Sequence, residues 1–270
     1  MKPLACLIAL MLAGTAAAQD VGVDPAPPPT MAFEDGLWFD GSRFAPADWY
    51  AVDGRFTARR PDRIDVTIDI DVLYADACIS SSDGHPLGIA LASAKQAGIS
   101  LTPDEARQNY DPIDSIADVD RLWPEIIARE PKLIKLILIN SENYAENRKN
   151  PDLFGYNGLD PALVQPIVSR AHDAGIRVVA HGDSAADFAT AVRAGADIIA
   201  HLPGYRFADG MTAADYRLSD DVIAEAARRD TVVITTAVAA SHYLNKHPEQ
   251  AAALQEVQAD NLRRLRAAGV

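Results

Sequence analysis

A chain of 270 residues is long enough for one large domain, or for one domain and a small module beside it. Its 25 Lys and Arg face 38 Asp and Glu, and a formal charge of −13 argues against nucleic acid or an anionic membrane surface as a partner. That balance leaves the substrate chemistry open.

Taken in chain order, residues 1–18 have the form of a secretory signal peptide. Lys2 supplies the early charge, residues 4–12 are an apolar run too short for a membrane anchor, and Ala16, Ala17 and Ala18 make a small-residue cleavage site before Gln19. Cleavage after Ala18 makes the mature protein secreted or periplasmic, with no membrane association. Cys6 lies too early to be a lipid-attachment residue and leaves with the signal. Cys78 is then the single mature cysteine, so no internal disulfide can form. Loss of Lys2 takes the formal charge to −14 over 252 residues.

Residues 19–35 are proline-rich and without periodicity, a flexible leader. Residues 36–70 contain three β-like pieces, GLWFDG, WYAVDGRFT and RIDVTIDI. The Asp40-Gly41 and Asp53-Gly54 steps suit tight turns, and Ile64, Val66, Ile68 and Ile70 alternate as in a half-buried strand. A small antiparallel β module is expected there.

Residues 71–270 change to an α/β pattern. DVLYADACIS is the first apolar piece, and SSDGHP after it makes a turn-rich loop holding His85. LTPDEARQNYDPIDSIADVDRL carries short helices, and KLIKLILINSE is the most strand-like run. Asp160-Pro161 opens a helix that stops at Gly175. In RVVAHGDSAADFATAVRAGADIIAHLPG, two apolar strands each end in Ala-His. Between them lies a helix opened by Ser184 and Asp187 as a capping box and closed at Gly195. Ser219 caps a further helix, TVVITTAVA is a strand, and a last helix runs from Pro248 to Gly269. HDAGIRVVAH, VRAGADIIAH, ARRDTVVITT and LRAAGV repeat one joint, a helix end passing into a buried strand. Barrel-type strands are expected near Val72, Leu133, Arg177, Asp197 and Thr231, where a closed (β/α)₈ barrel has eight. The fold class is α/β: an incomplete TIM-like (β/α) barrel preceded by a small antiparallel β module.

His181 and His201 are expected to end adjacent parallel strands, where two imidazoles can share one ion; each alone would be an ordinary hydrogen-bonded histidine. Lys135, inside a strand buried on both faces, has two readings. It escapes to solvent or pairs with a carboxylate, or it is kept for a neutral amine that forms a Schiff base or a metal-binding carbamate. A Schiff-base enzyme would leave the paired histidines unexplained. His172, beside Asp173 on a helix, is expected on the surface. His85, His242 and His247 lie in loops that could line a pocket, and His85 is the candidate substrate-binding residue. Asp183 and Asp187 are expected as helix caps. No serine nucleophile elbow, phosphate-binding glycine loop or zinc-binding cysteine cluster is present.

The lysine-bearing strand followed by AHGDSAADFATAVRAGADIIAHLPG resembles the amidohydrolase superfamily, close to its imidazolonepropionase-like and prolidase-like members. LWFDG and VDGRFT resemble the module that precedes their barrels. The resemblance implies metal-dependent hydrolysis of C–N bonds, amide or peptide-like, in a small-molecule or peptide-like substrate. It also implies a divalent metal, zinc above all, with Lys135 as a carbamylated ligand and His181 and His201 as ligands. The family's His-x-His pair is missing, because no two histidines here lie two residues apart. The family's first barrel strand, and the second with it, is expected to be missing between about Ile70 and Asp71, and the family's final aspartate falls beyond Val270. At most one ion is therefore expected, no catalytic residue is assigned, and a sheet lacking strands has open edges through which the chain could self-associate. The alternative reading is a non-catalytic ligand- or partner-binding remnant, or a truncated fragment.

Overall fold

The computed structural model describes residues 30–39, 44–53, 55–69, 77–204, 210–235 and 248–270. The signal peptide, residues 19–29 of the leader, the Ile70 junction, His242 and His247 lie outside the described residues. The described residues divide into two units, one within Ala5–Ala75 and the other within Asp76–Val270.

The first unit holds β1 (Met31–Phe39), β2 (Phe44–Val52), β3 (Arg55–Thr57) and β4 (Val66–Asp69) in the order β3-β2-β1-β4. β1 and β2, and β2 and β3, pair antiparallel, and Asp53 takes the positive φ (50°) that the second of these turns needs. β4 joins β1 in parallel. β1 begins at Met31, ahead of the module's expected start at residue 36, because the polar Glu34-Asp35 step does not end the strand. The register instead shifts by one residue between Phe33 and Gly36, a β-bulge.

The second unit is built on β5 (Ala77–Ser80), β6 (Asp111–Pro112), β7 (Leu133–Ile137), β8 (Arg177–His181), β9 (Ile198–Ala200) and β10 (Val232–Ile234). They form a six-stranded, all-parallel sheet in the order β10-β9-β8-β7-β5-β6. Between and after the strands run α1 (His85–Gln96), α2 (Pro103–Arg107), α3 (Ile116–Ala128), α4 (Tyr144–Asn147), α5 (Pro161–Asp173), α6 (Ala185–Ala194), α7 (Asp220–Arg228) and α8 (Pro248–Ala268). This is an incomplete TIM-like barrel preceded by a small β module. Among the described residues no pairing joins β6 to β10, so the sheet does not close.

The strand alternation produces two unlike faces. Ala77, Ile79, Ile134, Leu136, Val178, Ala180 and Ile199 point to one side and are fully buried. They share a core with Val119 and Ile126 of α3, Val164, Ile167 and Val168 of α5, Phe188 and Val192 of α6, and Val222 and Ala226 of α7. The other side carries Cys78, Lys135, Val179, His181, Ile198 and Val232. Cys78, Lys135 and Ile198 are only half-buried there, and Val232 is 54% exposed.

Two elements were hidden in the sequence. β6 is a two-residue strand ending in proline, too short to show periodicity. α1 begins at His85 itself, because Pro86 suits the first turn of a helix and LGIALASAK after it favours helix.

Candidate active site

The carboxyl ends of the strands place the candidate residues together, as parallel strands joined by helices must. Lys135 is at the middle of β7, flanked in register by Cys78 on β5 and Val179 on β8. His181 is the last residue of β8 and pairs with Ala200, so the two Ala-His endings are offset by one residue. Simple alternation would send His201 to the helix-covered face with Ile199. A left-handed backbone at His201 (φ 82°), unusual for a residue other than glycine, ends the strand there. The His201 ring instead meets that of His181 edge-on, with centroids 4.6 Å apart. Between them, the capping box of Ser184 and Asp187 and the αL residue Gly195 (φ 91°) set both ends of α6 as expected.

His85 joins the pair. Its ring stacks on His181 at 5.8 Å, and Tyr156 lies 6.4 Å beyond His85. His85 is held at the start of α1 by a clasp between residues 83–88 and 153–157. His85 N–H donates to the Asn157 carbonyl and Gly155 N–H to the Asp83 carbonyl, both at 2.9 Å. Asn157 Nδ2 donates to Asp83 Oδ2 at 2.7 Å. Gly88 passes so close to Gly155 that a Cβ on Gly88 would lie 2.0 Å from the Gly155 carbonyl oxygen. Arg148 ties the clasp further by ion pairs to Asp83 and Asp114.

Asp183 and Asp187 separate in role. Asp187, fully buried, accepts from the backbone N–H groups of Asn140, Ser141, Asp183 and Ser184 at 2.8–3.0 Å, and so binds the turn after β7 to the turn after β8. Asp183 is not the cap. Its Oδ1 lies 3.0 Å from Nε2 of His181, and both side chains are buried. A carboxylate at that nitrogen holds the proton on Nε2 and leaves the ring's lone pair on Nδ1, the arrangement that prepares a histidine to ligate. The position of Asp183 two residues after a strand-end histidine was the signal that could have found it.

Burial pushes the imidazole of His201 down to about 3, aided by His181, Lys135 and His85 and opposed by Asp183. His201 is therefore neutral at physiological pH, and its dependence on Lys135 puts that lysine within electrostatic reach. Farther round the edge, Ser184 Oγ donates to Glu142 at 2.9 Å, and burial raises the Glu142 carboxyl above its usual range. His172, as expected, is on the surface, 3.0 Å from Asp197. Two surface cavities, ≈ 400 Å³ against Trp123 and Arg170 and ≈ 330 Å³ against Arg59 and Asp62, include none of the histidines.

Two imidazoles are a donor set that suits one borderline divalent ion. Among the described residues, no group of three or more His, Cys, Asp or Glu is arranged to hold a metal ion. No helix among the described residues is long and apolar enough to cross a membrane.

No protein-family model and no curated protein matches the chain. Among solved structures it is similar to an ochratoxinase from A. niger at 19% identity, covering 73% of this chain and 43% of that one, with a TM-score of 0.47. A prolidase solved with N-methylphosphonate-L-proline aligns at 15% identity over 89% of this chain and 76% of its own, with a TM-score of 0.41. A Xaa-Pro dipeptidase with methionine in its active site aligns at 14% identity over 89% and 77%, with a TM-score of 0.42. At these identities and TM-scores the likenesses carry no argument about activity.

Proposed function

We propose that the chain is an exported, amidohydrolase-like protein. In this reading one divalent ion, zinc by donor chemistry, binds through His181, His201 and Lys135 in carbamate form. The ligand taken at the same sheet edge is peptide-like and contains a C–N bond. The observation that carries the reading is the edge-on meeting of His181 and His201, 4.6 Å between centroids, achieved by a left-handed residue at the end of β9. Backbone strain of this kind costs about 1–3 kcal/mol and persists where the side chain it aims has a task. Asp183 supports the reading by orienting His181, and Lys135 by its place on the open face next to β8. The signal-like residues 1–18 support export.

When bound, such an ion would supply Lewis-acid polarisation of a carbonyl. The chain's own groups would do the remaining work: Asp183 keeps the His181 proton on Nε2, and burial keeps His201 unprotonated. The lack of a His-x-His pair makes slow hydrolysis the expected behaviour. Zinc content after dialysis tests the site: the wild-type chain should retain about one ion, and a His181→Ala, His201→Ala double variant should retain none. Equal content in the two proteins would sink the proposal. Dipeptide and aryl-ester panels should show little turnover.

A second reading, non-catalytic binding of a ligand or partner, is supported by the absence of a three-residue metal cluster among the described residues. It shares the ligand site and differs in having no hydrolysis at all.

A further inference from the structure

We propose that Tyr156 forms a subsite for a flat apolar or aromatic side chain of the peptide-like ligand, next to the histidines. This subsite presupposes the ligand site proposed above. Three contacts link four rings: His201 to His181 at 4.6 Å, His181 to His85 at 5.8 Å and His85 to Tyr156 at 6.4 Å. His181 is buried and His85 and His201 are half-buried, whereas Tyr156 is 48% exposed and Phe154 46% exposed. Large exposed aromatics commonly sit on loops that can fold them away. Here the loop cannot, because residues 153–157 are clasped to 83–88. The clasp comprises the paired backbone hydrogen bonds, the Asn157–Asp83 bond and the Gly88–Gly155 contact already described.

Tyr156 is therefore presented to solvent on rigid backbone, with its ring 6.4 Å from that of His85. Ordering a tyrosine that is already held loses little entropy on binding, and its ring gains contact with any planar or apolar group laid against it. A ligand reaching His85 and His181 with its polar part would place the group next to its C–N bond over Tyr156. The structure thus assigns Tyr156 to specificity and leaves ion binding to the inner residues.

Calorimetry of the zinc-loaded full chain with glycyl-L-phenylalanine and glycyl-L-alanine tests this. The phenylalanine dipeptide should bind roughly 2- to 10-fold more tightly, the range one aromatic contact supplies. Tyr156→Ala should bring the two affinities together, and Tyr156→Phe should keep most of the preference. Zinc content and melting temperature of both variants should match wild type, since Tyr156 is 48% exposed and holds no proposed ion ligand. Equal affinities in wild type, no binding of either dipeptide, or a preference that survives Tyr156→Ala would each overturn the subsite. A chain that holds no zinc yet prefers phenylalanine through Tyr156 would overturn the metal site alone. A chain that holds zinc without preference would overturn the subsite alone.

Discussion

The two faces of the six-stranded sheet are made from the same strands and behave as different materials. On one, Ile79, Ile134, Leu136, Val178 and Ile199 are sealed under helices with almost no exposed surface. On the other, Lys135 and Cys78 are half-buried, His181 is buried beside Asp183, and Val232 stands in solvent on the outer strand. Neighbouring residues of β7 therefore serve opposite ends. Leu136 supplies stability through apolar burial, while Lys135 is half-buried on the open face. The candidate site is on the face that the helices leave open.

The contrast would break if the sealed face were not the source of stability. Leu136→Ala should cost about 2–5 kcal/mol, since it leaves a cavity in a packed core. Val232→Ala, on the open side, should stay within about 0.5 kcal/mol. Urea unfolding of the two variants checks the pair, and similar losses would remove the distinction between the faces.

Asp187 sharpens the contrast, because it stabilises through hydrogen bonds at the strand ends and not through apolar contact. Asp187→Ala leaves buried N–H groups of Asn140, Ser141, Asp183 and Ser184 without their acceptor, and should cost about 2–3 kcal/mol in the same unfolding measurement. It should also loosen the His181 turn, so that zinc retention falls in a protein that is still folded. Unchanged zinc retention would confine Asp187 to a purely structural role.

A smaller effect is expected at Tyr110, under the loop that leads to His85. Its hydroxyl donates to the carbonyls of Ser81 and Ser82 at 3.1 Å, and burial raises its pKa to about 12 from an ordinary 10. Between those values the folded state keeps a proton that the unfolded chain releases, so stability present below pH 10 is lost as pH rises towards 12. Tyr110→Phe should cost about 1 kcal/mol at neutral pH and flatten that alkaline decline. An alkaline melting profile identical in the variant would show that Tyr110 does not carry the dependence.

Legibility followed the range of the interaction. The unit from Arg177 to Gly204 could be read in detail, since a capping box, a glycine stop and two apolar runs are local signals, and each is realised at Ser184, Asp187, Gly195, β8 and β9. The parallel order of β7, β8 and β9 follows from the helices that connect them. β6 escaped notice because two residues have no period. The start of α1 at His85 was masked by a Gly-Pro pair that suits turns and helix starts equally. At the site, Lys135, His181 and His201 were visible as strand residues, whereas the pairing of Asp183 with His181, the one-residue offset of the two Ala-His endings and the place of Tyr156 were not.

Hydrophobic period and capping chemistry, both local properties of the chain, were enough to make an α/β protein with a lysine strand followed by two histidine-ended strands. The joining of His85 to that pair was settled by packing across about a hundred residues, through a clasp whose two segments share no sequence signal. Left-handed backbone at His201 belongs to the same class: nothing in Ile-Ile-Ala-His requires it, and it arises where β9 ends against its neighbours. Local preferences act within a few residues, while ring-to-ring distances are set by the register of whole strands, and register exists only once the sheet has formed.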